Sequence, residues 1–258
     1  DNGLISVKPN IKFKEVIKKV STDGLVKNSG CDFDPTSTLT LTERTIEPKS
    51  LQVNLQLCKA DFRSDWDAIS MGYSAHDNLA PSFADFLLGH VAAKVAQKTE
   101  QDIWNGAAAT NGSIAGFKEL MLADADVSDV GAGAAVTAAN VIDQMGLVVD
   151  AIPSTIYTSE DLYIYVSQNV ARAYVRALGG FQANIGGAGT DDKGTQWYNG
   201  GGLSFDGVKI AVANGLPDNT MVAAEKSNLF FGTGLLNDQN EVKVIDMADI
   251  DGSQNVRV

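Results

Sequence analysis

Two histidines, two cysteines and a few paired aspartates are the groups through which this chain could do chemistry. His76 stands beside Asp77 and His90 lies further on, and neither has a second histidine or a cysteine at metal-ligand spacing. Nucleophilic hydrolysis needs a serine or cysteine served by a histidine base, and no serine sits in a G-x-S-x-G turn. Cys31 and Cys58 are the only thiols, too few for a disulfide framework; they read as reduced structural cysteines, with a cytoplasmic origin. Asp124 with Asp126, and Asp191 with Asp192, could be acid-base pairs, yet both lie among small residues where carboxylates normally face water. The stretch from Gly179 to Gly202, with Gly186, Gly187, Gly189, Gly200 and Gly201, could cradle a phosphate. It has no GK[ST] ending and no strand leading into the glycines, so a mobile loop is expected. Asn111-Gly112-Ser113 is formally a glycosylation sequon without a secretory signal, and Asp246, Asp249 and Asp251 miss the spacing of a calcium loop, leaving a solvated tail. No catalytic residue, cofactor or metal is assigned.

The chain that must position these groups has 258 residues, 44% apolar and 20% charged, enough for a real core in one or two domains. It has no run of about 20 apolar residues, and DNGLISVKPN lacks the charged-then-apolar order of a signal peptide, so a soluble protein is expected. Net charge is −12, with a pI near 4.5, which argues against wrapping nucleic acid by phosphate neutralisation. The balance is uneven: residues 1 to 30 hold Lys8, Lys12, Lys14, Lys18, Lys19 and Lys27 against three acids. Those lysines either cover the solvated face of a strand or meet an acidic surface on another copy of the chain.

The longest regular element is predicted at Ser82 to Asn105. Phe83, Leu87, Val91 and Val95 recur every fourth position, Pro81 and Ser82 supply a start, and Gly106 a stop. Before it, 4–20 reads as strand and 21–37 as a turn-rich loop. Leu39 and Leu41, then Leu51, Val53, Leu55 and Leu57, alternate as half-buried strands do. Two strands around a long loop make an extended hairpin that is marginal alone and must lean on its own domain or on a neighbour. Beyond the long helix, 136–152 has helical spacing with Thr137 as candidate cap and Pro153 as its end. LYIYV (162–166) reads as a buried strand, and SQNVARAYVRAL as a helix stopped by Gly179-Gly180. Three closing strands are predicted at 208–213, 221–224 with 229–231, and 241–246.

In order, TLTLTERTIEPKSLQVNLQLCKADF, the helix ending AAKVAQKTEQDIWNG, DLYIYVSQNVARAYVRAL and FDGVKIAVANGLPDNTMVAAEKSNLFFGTGLLNDQNEVKVIDM resemble the major capsid proteins of tailed bacteriophages. The opening, with Cys31-Asp32-Phe33 and E-P-K-S-L-Q-V-N, is most similar to those of crass-like and related phages of Bacteroidota. The resemblance implies an α+β Hong Kong 97-like fold in four parts. After an N-terminal segment (1–10), 11–57 is an extended loop reaching over a neighbouring subunit. Residues 58–116 and 207–258 form the peripheral domain, with the helix 82–105 as its spine, and 117–206 an α/β axial domain around five-fold and six-fold axes. Intersubunit contacts are then expected at Lys12, Lys14, Lys18, Lys19, Lys27, Phe33, Glu43, Arg44 and Lys49. Family members commonly carry an arm or a cleaved scaffolding segment before the extended loop. This chain starts at Asp1, almost at that loop, which fits proteolytic maturation or a missing arm.

The implied function is a non-enzymatic shell protein that forms pentamers and hexamers of itself around double-stranded DNA. Its place is the virion, after assembly in the host bacterial cytoplasm. Portal, scaffold and decoration proteins are further partners, DNA is touched only non-specifically, and no membrane is involved. An encapsulin-type nanocompartment shell and, from another class, a small α/β hydrolase or ligand-binding protein are the alternatives.

Overall fold

A computed structural model describes residues 3–31, 35–58, 61, 81–131, 133–178, 203–234 and 243–258. The chain divides into two compact units. The core unit comprises Asp1–Ser6, Leu51–Leu229 and Val242–Val258; the arm unit comprises Val7–Ser50 and Phe230–Glu241.

The core unit is built around LYIYV. This run forms β5 (Leu162–Val166), flanked by β7 (Val208–Val212) in parallel and β8 (Met221–Glu225) antiparallel, with β6 (Ser204–Phe205) outside β7. Alternate side chains go to opposite faces. Leu162, Ile164 and Val166 pack with Val141, Met145 and Val149 of α3 (Val141–Asp150) and with Val170 and Tyr174 of α4 (Gln168–Leu178). On the other face Tyr165 packs with Trp104, Ala211, Leu216 and Leu229, and Leu4, Ile5, Phe117 and Met121 join that cluster. Trp104 ends α1 (Pro81–Asn105), and Phe117 opens α2 (Phe117–Leu122). Helices thus cover both faces, which is why the strand reads as a continuous apolar run rather than an alternating one.

Strand and helix at 162–178 fall where the sequence places them. The helix expected at 136–152 is shorter. Its cap is Asn140 rather than Thr137, because Asn140 Oδ1 turns back to accept the Thr137 N–H (2.7 Å) and hydroxyl (3.1 Å). A second polar knot ties this end of the sheet together. Asn169 Nδ2 donates to Asn219 Oδ1 (2.9 Å), the Asn219 N–H donates to Asn169 Oδ1 (3.0 Å), and the Val136 N–H also reaches Asn219 Oδ1 (2.8 Å). Asn219 has φ 61°, a left-handed conformation that asparagine tolerates better than most residues.

The long helix α1 starts one residue before its predicted start and ends at its predicted end, but its apolar stripe is not uniformly covered. Leu87 and Trp104 are buried, Val91 is half-buried, and Phe86 and Val95 are exposed. Its last turns are held by backbone packing that only glycine permits. A Cβ on Gly215 would run into the Glu100 carbonyl, and one on Gly116 would stand 2.7 Å from the Asp102 carbonyl oxygen.

The chain end differs from the solvated tail expected. α5 (Ala248–Asp251) stops at Gly252 (φ 73°), and β11 (Asn255–Arg257) then lies between β10 (Ile245–Asp246) and β4 (Gln56–Cys58), burying Val256. The closing strand at 241–246 is limited to Ile245–Asp246 among the described residues. The alternation from Leu51 to Leu57 likewise yields a ladder only at its end. Leu55 exchanges two backbone hydrogen bonds with Val258, and β4 pairs with β11, while Leu51 and Val53 stay exposed for want of a partner strand beside them among the described residues.

In the arm unit, β2 (Glu15–Asp23) and β3 (Thr38–Ile46) form an antiparallel hairpin in register from Glu15 opposite Ile46 to Asp23 opposite Thr38. β1 (Ser6–Lys8) pairs with β9 (Phe230–Gly232) at its base. Ile11 is buried there, and a Cβ on Gly232 would stand 2.6 Å from Ile46 Cγ2 and 2.9 Å from Ile11 Cδ1, so the base is tightly packed.

Candidate functional site

Groups that could do chemistry are scattered. His90 is exposed on α1 with its ring 6.4 Å from that of Phe86, and His76 lies outside the described residues, as do Phe33, the aspartates at 191 and 192 and the glycine-rich 179–202 stretch. Both cysteines are free thiols, Cys31 exposed and Cys58 half-buried in β4. Asp124 Oδ1 accepts the Asp126 N–H (3.1 Å), which makes these carboxylates part of a turn. Among the described residues no group of three or more His, Cys, Asp or Glu could hold a metal, and no helix is long and apolar enough to cross a membrane.

Among the described residues two hydroxyls are perturbed, Tyr165 on β5 and Tyr174 on α4. Burial, with Tyr163 and Asp161 adding to it, pushes the Tyr165 hydroxyl up to about 12; it donates to the Leu4 carbonyl. Burial, with a smaller contribution from Asp206, also raises Tyr174, which donates to the Ser204 carbonyl (2.7 Å). Each anchors backbone rather than facing a cleft. Asp102 acts in the same way: Lys98 Nζ (2.7 Å) and Ser113 Oγ (2.9 Å) both donate to its Oδ1, locking the 106–116 loop to the end of α1.

The arm is the surface that stands out. Residues directly opposite in an antiparallel ladder share a face. One face therefore carries Val16, Val20, Leu39 and Leu41, which are 47 to 65% exposed, with Lys18 and Glu43 paired across the strands at 3.5 Å. The other carries Ile17, Arg44, Lys19, Thr42, Ser21 and Thr40. Leu25 and Val26 extend the exposed apolar surface beyond the β2 end, Val26 at 93%, and Phe13 before β2 is 83% exposed. Two strands with water on both faces are marginally stable, and an exposed apolar stripe of this kind marks an interaction surface.

The contact residues expected from sequence, Phe33 apart, lie on one arm but not on one face. Lys18 and Glu43 sit on the apolar side, and Lys19 and Arg44 on the polar side. Lys14 pairs with Glu47 (3.0 Å), and Lys12, Lys27 and Lys49 are exposed. Exposed pairs of this type contribute roughly 0–1 kcal/mol, so they trim the strand edges more than they hold the fold. Phe13 and the valine-leucine stripe are not among the contact residues expected from sequence. The alternation was visible, but only the register shows that both strands turn their apolar side the same way.

No protein-family model and no curated protein sequence matches the chain. Solved structures do. The capsid of a native GTA particle aligns with 99% of this chain and 81% of that one at TM-score 0.59 and 14% identity. The capsid of an empty GTA particle aligns with 99% of this chain and 87% of that one at TM-score 0.56 and 13% identity. The procapsid of satellite phage P4 aligns with 98% and 85% at TM-score 0.50 and 12% identity. At such identities the likeness is one of fold, and the fold is the α+β, Hong Kong 97-like one that the order of sequence elements implies.

Proposed function

We propose that this chain is the major shell subunit of a phage-type capsid. It acts by associating with copies of itself as pentamers and hexamers and catalyses nothing. The observation that carries the reading is a capsid fold spanning 99% of the chain, joined to an arm whose apolar face has no cover among the described residues of its own chain. Within this reading 11–57 is the loop that reaches over a neighbour, α1 is the spine of a peripheral domain made of 58–116 and 207–258, and 117–206 is the axial domain. Residues on the arm, among them Lys12, Lys14, Lys18, Lys19, Lys27, Glu43, Arg44 and Lys49, rim the contact, while Phe13, Val16, Val20, Leu39 and Leu41 supply its apolar centre.

The shell would enclose double-stranded DNA without reading its bases, with portal, scaffold or decoration proteins as further partners, in a virion assembled in the cytoplasm of a bacterial host. Kinship with crass-like and related Bacteroidota phages rests on the wording of the opening segment. The encapsulin alternative gains no support from the matched capsids. Purified chain, concentrated and imaged by negative stain, is expected to form rings or closed shells; a particle-free, monodisperse monomer contradicts the reading.

A further inference from the structure

Five asparagine-glycine pairs occur in the sequence, at 2–3, 105–106, 111–112, 199–200 and 214–215, and three of them have both members among the described residues. Glycine carries no Cβ, so it hinders attack by its own backbone nitrogen on the preceding side-chain amide less than any other residue. The fold treats the three pairs differently. Gly106 is buried, its N–H donates to the Asp102 carbonyl (3.0 Å), and a Cβ there would stand 3.0 Å from Asp102 Cα. Gly215 is buried too, in a turn that the Leu216 N–H closes on the Ala213 carbonyl (3.2 Å), and a Cβ on it would stand 2.8 Å from Trp104 Cδ1. Asn111 and Gly112, by contrast, are both exposed, at the centre of a turn closed by the Ser113 N–H on the Thr110 carbonyl (3.2 Å). Gly112 has φ 74° and open space where a Cβ would stand, and neither its N–H nor the Asn111 side chain meets a hydrogen-bond partner among the described residues.

We infer that Asn111 is a site of spontaneous covalent modification, losing its side-chain amide with water as the co-reactant to give aspartyl and isoaspartyl forms of the chain. The Gly112 backbone nitrogen, having given its proton to base, attacks Asn111 Cγ. A C–N bond forms, the Cγ–Nδ2 bond breaks and ammonia departs, leaving a five-membered succinimide. Water then adds to one of the two ring carbonyl carbons, and nothing is oxidised or reduced. Opening at Cγ gives an ordinary aspartate. Opening at the Asn111 backbone carbonyl gives an isoaspartyl link, in which the main chain runs through Cβ and Cγ. Ring closure requires the backbone to rotate at the pair, which an open, unbonded turn permits at low cost and the packing of Gly106 and Gly215 against the end of α1 resists. The isoaspartyl form puts an extra methylene into the main chain between Thr110 and Ser113. Ser113 Oγ donates to Asp102 Oδ1 (2.9 Å), so the change reaches the lock between the 106–116 loop and α1. The chemistry belongs to the subunit and is independent of the shell reading.

Peptide mapping by mass spectrometry tests this on the whole chain held in mildly alkaline buffer, one sample folded and one unfolded in urea. In the folded chain, conversion at Asn111 is expected to run at least ~10-fold faster than at Asn105 or Asn214, and in urea the three should fall within about 3-fold of one another. Conversion at Asn111 no faster than at the two packed pairs in the folded chain overturns the assignment. A second measurement reads the consequence. Separated from the aged sample, the isoaspartyl form is expected to unfold at a lower urea concentration than freshly made Asn111→Asp, which carries the added charge without the extra methylene. Equal midpoints overturn the link to the Ser113 lock and leave the modification site standing.

Discussion

Asp102 is 4% exposed and receives hydrogen bonds from Lys98 and from Ser113, which is itself buried. Asp102→Ala removes the 2.9 Å charged acceptor of the buried Ser113 hydroxyl, which keeps only its longer 3.4 Å contact with the Ile114 carbonyl, so a loss of about 1–3 kcal/mol is expected in urea unfolding. A midpoint unchanged from the parent contradicts the lock on the 106–116 loop. Tyr165 makes a prediction in pH. An unfolded tyrosine ionises near 10 and this one near 12, so between those values the folded chain keeps a proton that the unfolded chain has lost. Its contribution is therefore complete below pH 10 and falls as pH climbs toward 12, by on the order of 1 kcal/mol per unit at most. Urea midpoints at pH 8 and pH 11 should differ more for the parent than for Tyr165→Phe, and equal differences contradict the assignment. Neither lock is visible in sequence, where Asp102 is one more acid on a polar helix face and Tyr165 one more aromatic in a strand.

The arm behaves as an element whose stability and purpose separate. Val20 and Leu41 face each other across the ladder and are both more than half exposed. Replacing both by serine is expected to leave the core unit's unfolding within about 0.5 kcal/mol of the parent, since they are not part of its core. Assembly should weaken sharply all the same. Sedimentation and thermal melts on one preparation check both halves. Removing the loop from Asp23 to Asp34 should likewise leave a folded subunit that assembles poorly; normal shells from it contradict the role of the arm. Legibility also varied by element. LYIYV and the helix after it declare themselves because buried strands and amphipathic helices carry their own periods. The hairpin strands were legible as alternation, but their common apolar face depends on a register that no single strand encodes. Leu51 to Leu57 alternates as well as any strand here, yet it ladders only where the chain end returns beside it, and QNVRV gave no sign that Val256 would be the buried centre of that sheet. Partners far apart in sequence decided those outcomes.

At the scale of the molecule, the chain joins a well-packed core unit with two helix-covered sheet faces to an arm with apolar side chains in water. Under the proposed function, that arrangement belongs to a subunit that completes its arm on another copy. The contents of purified particles divide the shell readings, nucleic acid pointing to a capsid and a protein cargo to a nanocompartment. The most direct test is the mass of the chain in solution as its concentration rises, followed by light scattering or mass photometry. The account predicts a shift from monomer to discrete ring-sized and shell-sized species, abolished by the Val20→Ser, Leu41→Ser pair. A parent chain that stays monomeric across the whole range contradicts it.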